Sequence, residues 1–212
     1  METEEQQLEE IKKWWREYGR TVVLGVFLGL SGIGGWSLWK SHENTQAETA
    51  SSLYQRLLDT SSGESSNAIS AIAQTDALIA QYPKTNYAVL GALVGARGAY
   101  QNQDSATAKR FLEWASTHGE IQEVRNIASL RLARILTEEG QHDAALKQLD
   151  SITNANFSLL STELRGDVLL AQGNINDARN AYLEVLKSDE ISQSIRNIIQ
   201  TKLDDLGGNT GS

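Results

Sequence analysis

The sequence predicts an all-α protein in which an N-terminal transmembrane helix is followed by a solenoid of helical hairpins. Residues 21–39 contain no charged side chain, and apolar residues recur at helical spacing through residues 43–206. Two segments around Gly140 and Gly173 resemble each other at a distance of 33 residues. One proline and 17 glycines in 212 residues also fit a helical chain better than a β-sandwich.

Charge and cysteine content exclude several classes of function. The chain has 19 Lys and Arg against 27 Asp and Glu, a formal net charge of −8, and no Lys/Arg stripe that could displace counterions from phosphates. Nucleic acid is therefore not an expected partner. The absence of cysteine excludes disulfides, cysteine-ligated zinc and iron–sulfur clusters, and leaves the redox compartment open.

The uncharged segment 21–39 has the length of a membrane span. As a helix it covers roughly 28 Å, close to the hydrocarbon thickness of about 30 Å. Aromatic side chains stand at both ends, where the headgroup levels of a bilayer would lie: Trp14, Trp15, Tyr18, Trp36 and Trp39. A cleaved signal peptide is the alternative, but its apolar region would be shorter and would precede small residues, not Trp39 and Lys40.

Basic residues predict the orientation of this span. Lys12, Lys13, Arg16 and Arg20 precede it, whereas Lys40 alone follows until Arg56. Because the more basic flank stays inside, the N-terminus is predicted to be cytoplasmic. The expected organisation is a cytoplasmic tail (residues 1–20), a transmembrane helix (21–39), an exported helical domain (40–206) and a disordered C-terminal tail (207–212).

Glycines within the span suggest a helix-packing face. Gly25, Gly29 and Gly32 lie at spacings that let two helices approach closely in lipid, which predicts another copy or a different membrane protein as partner. The alternative is that glycine is simply common in membrane helices, and the sequence leaves both open.

Helical periodicity and chain breaks predict the helices of the exported domain. Gly140, Gly173 and Pro83 occupy positions where helices end, and the Ser-rich segment 60–67 is predicted to be a flexible loop. The predicted helices are 47–59, 68–81, 86–100, 106–116, 124–139, 143–151, 158–172, 176–187 and 192–206. The last helix, with Ile191, Ile195, Ile198, Ile199, Leu203 and Leu206 on one face, is predicted to cap the stack.

The repeat pairs equivalent residues of the segments LRLARILTEEGQHDAALKQLD and LRGDVLLAQGNINDARNAYLEV. Ala133 corresponds to Gly166 and Leu149 to Tyr182, so small residues would let helices close up while large ones fill the space between pairs. A weaker third copy has Ala108 at the position of Ala145, 37 residues earlier, which predicts an insertion in the intervening turn.

This pattern resembles the tetratricopeptide repeat, a helix-turn-helix unit of about 34 residues. The family's tryptophan position holds Ser129 and Thr162, and its closing proline is absent. The resemblance implies a groove lined by the first helix of each pair. It nominates these partner-binding residues: Ile127, Leu130, Arg134, Thr137, Leu160, Glu163, Asp167 and Leu170. For the equivalent residues Arg134 and Asp167, an ion pair between repeats and direct partner contact are both open.

No catalytic, cofactor-binding or metal-binding pattern is found. His42, His118 and His142 are not paired at metal-ligand spacing, and no phosphate-binding loop or nucleophile motif is present. Adjacent carboxylates such as Asp189 and Glu190 fit solvated helix ends. The chain is therefore predicted not to be an enzyme and to need no cofactor.

Several segments occur in a characteristic order along nearly the whole chain: the acidic start, KKWWREYGR, GVFLG and GGWSLW around the span, and LRLARI and LRGDVLLAQG in the repeats. In these segments and their order the chain resembles the YfgM family, the single-pass ancillary subunit of the bacterial SecYEG translocon. The resemblance implies a bacterial inner-membrane protein beside the channel, with a periplasmic domain that associates with the chaperone PpiD and helps exported client proteins leave the channel.

Two other classes of function remain as alternatives. One is an envelope protein that self-associates through Gly25 and Gly29 and regulates a stress response through its acidic cytoplasmic segment, residues 1–10. The other is an envelope enzyme, for which the sequence offers no catalytic residue.

Overall fold

Helices form wherever apolar residues recur at helical spacing, and some of them begin at side chains that accept hydrogen bonds from the free backbone N–H groups. Asn67, Thr85 and Asp104 accept such bonds at the starts of three helices. The computed structural model describes residues 4–62, 67–189 and 191–208. Within them it contains α1 (Glu4–Ser61), α2 (Ala68–Gln81), α3 (Asn86–Gln101), α4 (Ser105–His118), α5 (Gln122–Glu138), α6 (His142–Asp150), a short 3₁₀ helix (Ala155–Phe157), α7 (Ser158–Ala171), α8 (Ile175–Leu186) and α9 (Gln193–Gly208).

The predicted helices match those of the structure closely, with three differences. The helix predicted at 47–59 is the last part of the longer α1, and α9 continues to Gly208 instead of ending at residue 206. The insertion predicted in a turn is wrong, because residues 119–121 form a shorter connection than residues 151–157, and the extra residues lie in the helices: α4 and α5 have 14 and 17 residues against 9 and 14 in α6 and α7. Of the segments predicted to be flexible or disordered, residues 63–66 and 209–212 lie outside the described residues.

The chain divides into two compact units, Met1–Glu48 and Thr49–Ser212. In the first unit, the large apolar side chains of α1 from Val23 to Trp39 that are described are all more than half exposed. A bilayer crossing requires a long apolar helix, and no such helix is identified in the part of the chain that the structure describes. Residues 1–3 of the acidic segment lie outside the described residues.

The second unit is a stack of helical hairpins. Each helix from α2 to α9 packs against the next one in the chain, and α5 also contacts both α3 and α7. One apolar core runs from Val89 in α3 to Val168 in α7. The end of α1 joins the stack through Ala50, which packs near Leu78 and Ala88. The fold is therefore all-α and built of repeats, as the sequence predicts.

Three hairpins turn through the same backbone geometry. Gly140 and Gly173 have φ of 75° and 83°, and Gln103 has φ of 63° at the equivalent place. In each turn the following residue donates its N–H to a carbonyl five residues earlier, as Gln141 does to Leu136 at 2.8 Å and Asp104 to Ala99 at 2.9 Å. The shared pattern shows that the weak third copy in the sequence is a repeat of the same kind.

Close helix approach depends on the small residues that the repeat predicts. Gly166 lies against the ring of fully buried Tyr182, so that a Cβ at position 166 would overlap the ring. Ala108, Ala145 and Ala178 are fully buried at equivalent places. The prediction that small residues allow the paired helices to close up is confirmed.

A charged cluster attaches the last helix to the stack. Lys202 of α9 donates hydrogen bonds to Glu163 at 3.0 Å and to both carboxylate oxygens of Asp167 at 2.7 and 2.9 Å. The Tyr182 hydroxyl donates to Asp167 at 2.7 Å. Ile199, Leu203 and Leu206 bury against α8, whereas Ile198 is 49% exposed, so its predicted place on the packed face is wrong. Ile198 is one residue away from the stripe that contacts α8.

The turn geometry predicts opposite effects of glycine at equivalent positions. Because Gln103 is exposed and has a left-handed backbone, Gln103→Gly should raise the free energy of unfolding by about 0.5 kcal/mol. Gly140→Ala should lower it by about 1 kcal/mol because it introduces the same strain. Urea unfolding followed by circular dichroism measures both, and a lower stability of Gln103→Gly would contradict the turn assignment.

The Lys202 cluster predicts a loss of stability at alkaline pH. Burial would lower the pKa of Lys202, but hydrogen bonds to Asp167 and Glu163 raise it overall, and burial followed by the Asp167 hydrogen bond raises the pKa of Tyr182. The protonated forms are thus favoured on folding. Their contribution is complete below the unfolded pKa values of about 10 and is lost as the pH rises above them.

Unfolding midpoints in urea at increasing pH test this prediction. Lys202→Met should lower the stability at neutral pH by about 1 kcal/mol and make the decline above about pH 10 shallower. Lys147→Met is the matched control, because Lys147 is exposed and is not one of the groups bonded in the cluster. An unchanged decline in Lys202→Met would show that the cluster does not cause it.

Candidate partner-binding face

Two neighbouring clefts open on one face of the second unit, where α3 and α5 contribute side chains. We call this the cleft face and define it by the residues that line the two clefts. The first cleft has a volume of about 410 Å³ and the second about 300 Å³, both within the range of ligand sites. Arg97 of α3 and Arg131 of α5 line both clefts, so the two form one continuous surface.

The first cleft lies between the end of α1, the start of α2 and α3. Its walls combine aliphatic and aromatic side chains with polar groups, and Arg131 of α5 is among them. The principal lining residues are Tyr54, Leu58, Asn67, Leu90, Leu93, Val94, Arg97, Gln101 and Arg131. The mixture suits a segment that carries both apolar and polar groups.

The second cleft lies between α3 and α5 and has an apolar floor. Its lining residues are Ala96, Arg97, Tyr100, Leu112, Arg131, Arg134, Ile135 and Glu138. Leu112 and Ile135 are buried core residues, while the three arginines are exposed. The second cleft is therefore an apolar pocket with a rim of guanidinium groups.

Arg131 lies within reach of the positive charges of both other arginines. Desolvation lowers the pKa of Arg131, and the charges of Arg134 and Arg97 lower it further. Other arginines have clear partners, as Arg110 binds Asp76 at 2.6 Å and Arg165 binds Asp150 at 2.5 Å. Among the described residues, no hydrogen bond or ion pair is found for Arg97, Arg131 or Arg134.

One acidic residue lines the second cleft. Glu138 accepts a hydrogen bond from the Tyr100 hydroxyl at 2.5 Å, and this bond, followed by the charge of Glu138, raises the pKa of Tyr100. The carboxylate is therefore directed to Tyr100 and not to an arginine. Three positive charges and one negative charge leave the cleft positive in a chain whose net charge is −8.

Only one of the α5 residues nominated from sequence lies in a cleft. Arg134 lines the second cleft, whereas Leu130 is buried in the core and Ile127 packs against that core. Thr137 donates its hydroxyl to the carbonyl of Ala133 at 2.7 Å. The structure thus assigns packing contacts to Leu130 and Ile127 and a local backbone contact to Thr137.

The nominated residues of α7 are distributed differently. Leu160 and Leu170 are exposed, at 40% and 39%. Glu163 and Asp167 bind Lys202 of α9, so the ion pair considered between Arg134 and Asp167 is wrong. The physical reason is that α9 brings Lys202 to Asp167 and satisfies both of its carboxylate oxygens.

Sequence reasoning missed Arg97 and Arg131. Arg97 precedes Arg134 by 37 residues, the distance that separates Ala108 from Ala145, so the third copy already placed the two arginines at equivalent positions. Arg131 lies one helical turn before Arg134 and Ile135 and therefore on the same face of α5. The signal for Arg97 was present in the repeat spacing.

The glycines nominated for helix packing lie in the first unit. A Cβ added at Gly25, Gly29 or Gly32 would meet no heavy atom within 4 Å. Within this chain, these positions are therefore open along α1.

Comparisons with known proteins agree with the repeat architecture. Residues 12–208 match the model of the tetratricopeptide repeat-like domain family. Proteins named ancillary SecYEG translocon subunit are similar along their length: those of Haemophilus influenzae and Escherichia coli are each 30% identical, over 96% and 97% of this chain and 97% of theirs. The Neisseria gonorrhoeae protein of that name is 25% identical over 96% of this chain and 97% of its own.

No solved structure is significantly similar to the chain. The match to the domain model and the full-length similarity to the curated relatives nevertheless agree with each other and with the hairpin stack. The chain therefore belongs to the YfgM family, the ancillary SecYEG translocon subunits with a tetratricopeptide repeat-like domain.

Proposed function

We propose that this protein is a non-enzymatic accessory subunit of the SecYEG translocon in the bacterial inner membrane. It scaffolds the periplasmic chaperone PpiD at the channel exit and so assists newly exported proteins. The observation that carries the proposal is the similarity over 96% of the chain to relatives named for this role. A match that includes both units supports a shared role of the whole chain, not of the repeats alone.

The proposed topology is a single pass with the N-terminus in the cytoplasm. Residues 1–20 form the cytoplasmic tail, 21–39 the span and 40–206 the periplasmic domain. The uncharged sequence of 21–39 and the excess of basic residues before it support this arrangement. The exposed apolar side chains of α1, such as Phe27 at 68% and Leu30 at 65%, would contact lipid or a membrane partner.

The second unit supports the scaffolding part of the proposal. Stacked helical hairpins present an extended face to other polypeptides, and chemistry is not required for such a role. The cleft face supplies the apolar pocket and the charged rim that a protein interface commonly uses.

The open glycines favour one further arrangement. An α1 helix that packs through Gly25 and Gly29 against its own copy would suit the alternative role, a self-associating regulator that acts through its cytoplasmic tail. The two roles differ in the membrane partner that the span contacts.

Site-specific photocrosslinking in intact membranes tests the proposed function. A photoreactive amino acid at Leu24 or Leu28, which are 61% and 62% exposed, should trap SecYEG subunits or PpiD because the span lies beside them. The products are identified by mass spectrometry after isolation through a tag on this chain.

Ile69 provides the matched control, because it is 76% exposed but lies at the start of α2 outside the span. The same probe there should not trap the membrane-embedded channel segments. The accessory role would be contradicted if neither the channel nor the chaperone were recovered from either span position. The double variant Gly25→Leu with Gly29→Leu distinguishes the accessory role from the alternative. The self-associating regulator should lose its self-association in this variant, whereas the accessory role does not require self-association.

A further inference from the structure

We propose that the cleft face binds an acidic segment of a partner polypeptide. Carboxylates of the segment would pair with Arg97, Arg131 and Arg134, and an apolar side chain between them would enter the second cleft. The inference rests on the proposed function only in that both treat the second unit as a binding scaffold.

The first step of the argument is the cost of placing Arg131 between two other arginines. Desolvation and the charges of Arg134 and Arg97 disfavour the charged form of Arg131, and a bound anion would offset that cost. The chain has 27 acidic residues, yet within the described ranges none of them pairs with these three arginines. The charge of the cleft face is therefore available to a ligand.

The second step identifies the ligand's charged groups. Guanidinium groups bind carboxylates through two parallel hydrogen bonds, and arginine is suited to such planar contacts. Arg97 and Arg131 lie in both clefts, and Arg134 adds a third site on the second. Successive anchors along a continuous surface suit several carboxylates on one chain better than a single small anion.

The third step identifies the rest of the ligand. The second cleft has Ala96, Leu112 and Ile135 in its walls, and its volume of about 300 Å³ would admit an apolar side chain. An inorganic anion would leave the apolar surface of the cleft, which includes the 43% exposed Tyr100, in contact with water. A polypeptide with an aliphatic side chain between acidic residues would cover this apolar surface, and its carboxylates would pair with the arginines at the rim.

The fourth step explains why the site lies on α3 and α5. Asp167 occupies the repeat position of Arg97 and Arg134 on α7, and Lys202 neutralises it. Glu138, the acidic residue in the second cleft, is bound by Tyr100. The arginines without a partner at this repeat position therefore lie on α3 and α5, which line the two clefts.

Fluorescence anisotropy with full-length protein in neutral detergent provides the test. The probe is a short fluorescein-labelled peptide of alternating glutamate and leucine, and the comparison peptides replace glutamate by glutamine or leucine by serine. We expect both replacements to weaken binding, and we expect the acidic peptide to bind less tightly at about 0.5 M NaCl than at about 0.05 M NaCl.

Single Arg97→Gln, Arg131→Gln and Arg134→Gln variants should each weaken binding about tenfold, as loss of one charge-assisted pair implies, and the triple variant at least a hundredfold. The charge-matched control is Arg56→Gln with Lys84→Gln and Lys147→Gln, because these cations are exposed and line neither cleft. The control should bind the peptide as the parent does.

Thermal melting distinguishes lost binding from lost folding. Because the folded chain disfavours the charge on Arg131, Arg131→Gln should melt no lower than the parent protein while binding the peptide less well. A variant that binds poorly only because it is unfolded would melt lower.

Three results would overturn the inference. The first is equal binding of the acidic and glutamine peptides, and the second is an equal loss of peptide binding in the arginine triple variant and its charge-matched control. The third is arginine-dependent binding to phosphatidylglycerol vesicles with no peptide binding. Since the assay contains no translocon, failure here with successful crosslinking at Leu24 removes only this inference. Peptide binding without crosslinks removes the accessory role and keeps the cleft assignment.

Discussion

The burial that each helical hairpin obtains from the next is the constraint on which the second unit depends. Each helix has an apolar face that must be buried. A single hairpin cannot cover all of the apolar surface of its two helices by itself. The core from Val89 to Val168 is continuous because α3 to α7 cover one another in chain order. Small residues such as Gly166 permit this close packing of helices. The same packing places the exposed charged residues of α3 and α5 on the cleft face.

Local sequence carries most of the helical architecture. Apolar spacing, capping side chains and Gly140 and Gly173 define helix ends to within a few residues, because each signal acts within one or two turns of helix. Gln103 gives no such signal, since its left-handed backbone is imposed by the hairpin around it. Ile198 fails for a related reason, because helical spacing gives a broad apolar face while the contact with α8 selects a narrower stripe.

The candidate site is less accessible to sequence reasoning because its charges are decided by tertiary partners. Arg97, Arg134 and Asp167 occupy one repeat position, yet only Asp167 has a neutralising partner. That partner, Lys202, follows Asp167 by 35 residues, and the periodicity of the repeats does not predict a contact between these two positions. The second unit therefore places unlike electrostatic surfaces on similar hairpins, and a partner that requires positive charge would engage only some of them.

Contacts between neighbours in the chain also affect how the second unit acquires its structure. Each hairpin finds its packing surface on the segment made just before it, so assembly can advance from the α2 end without waiting for α9. If the chain crosses a membrane from its N-terminal side, every newly delivered hairpin meets a template already in place. The ion pairs of Lys202 that attach α9 then form last. The hairpins would therefore fold in the order in which they cross the membrane.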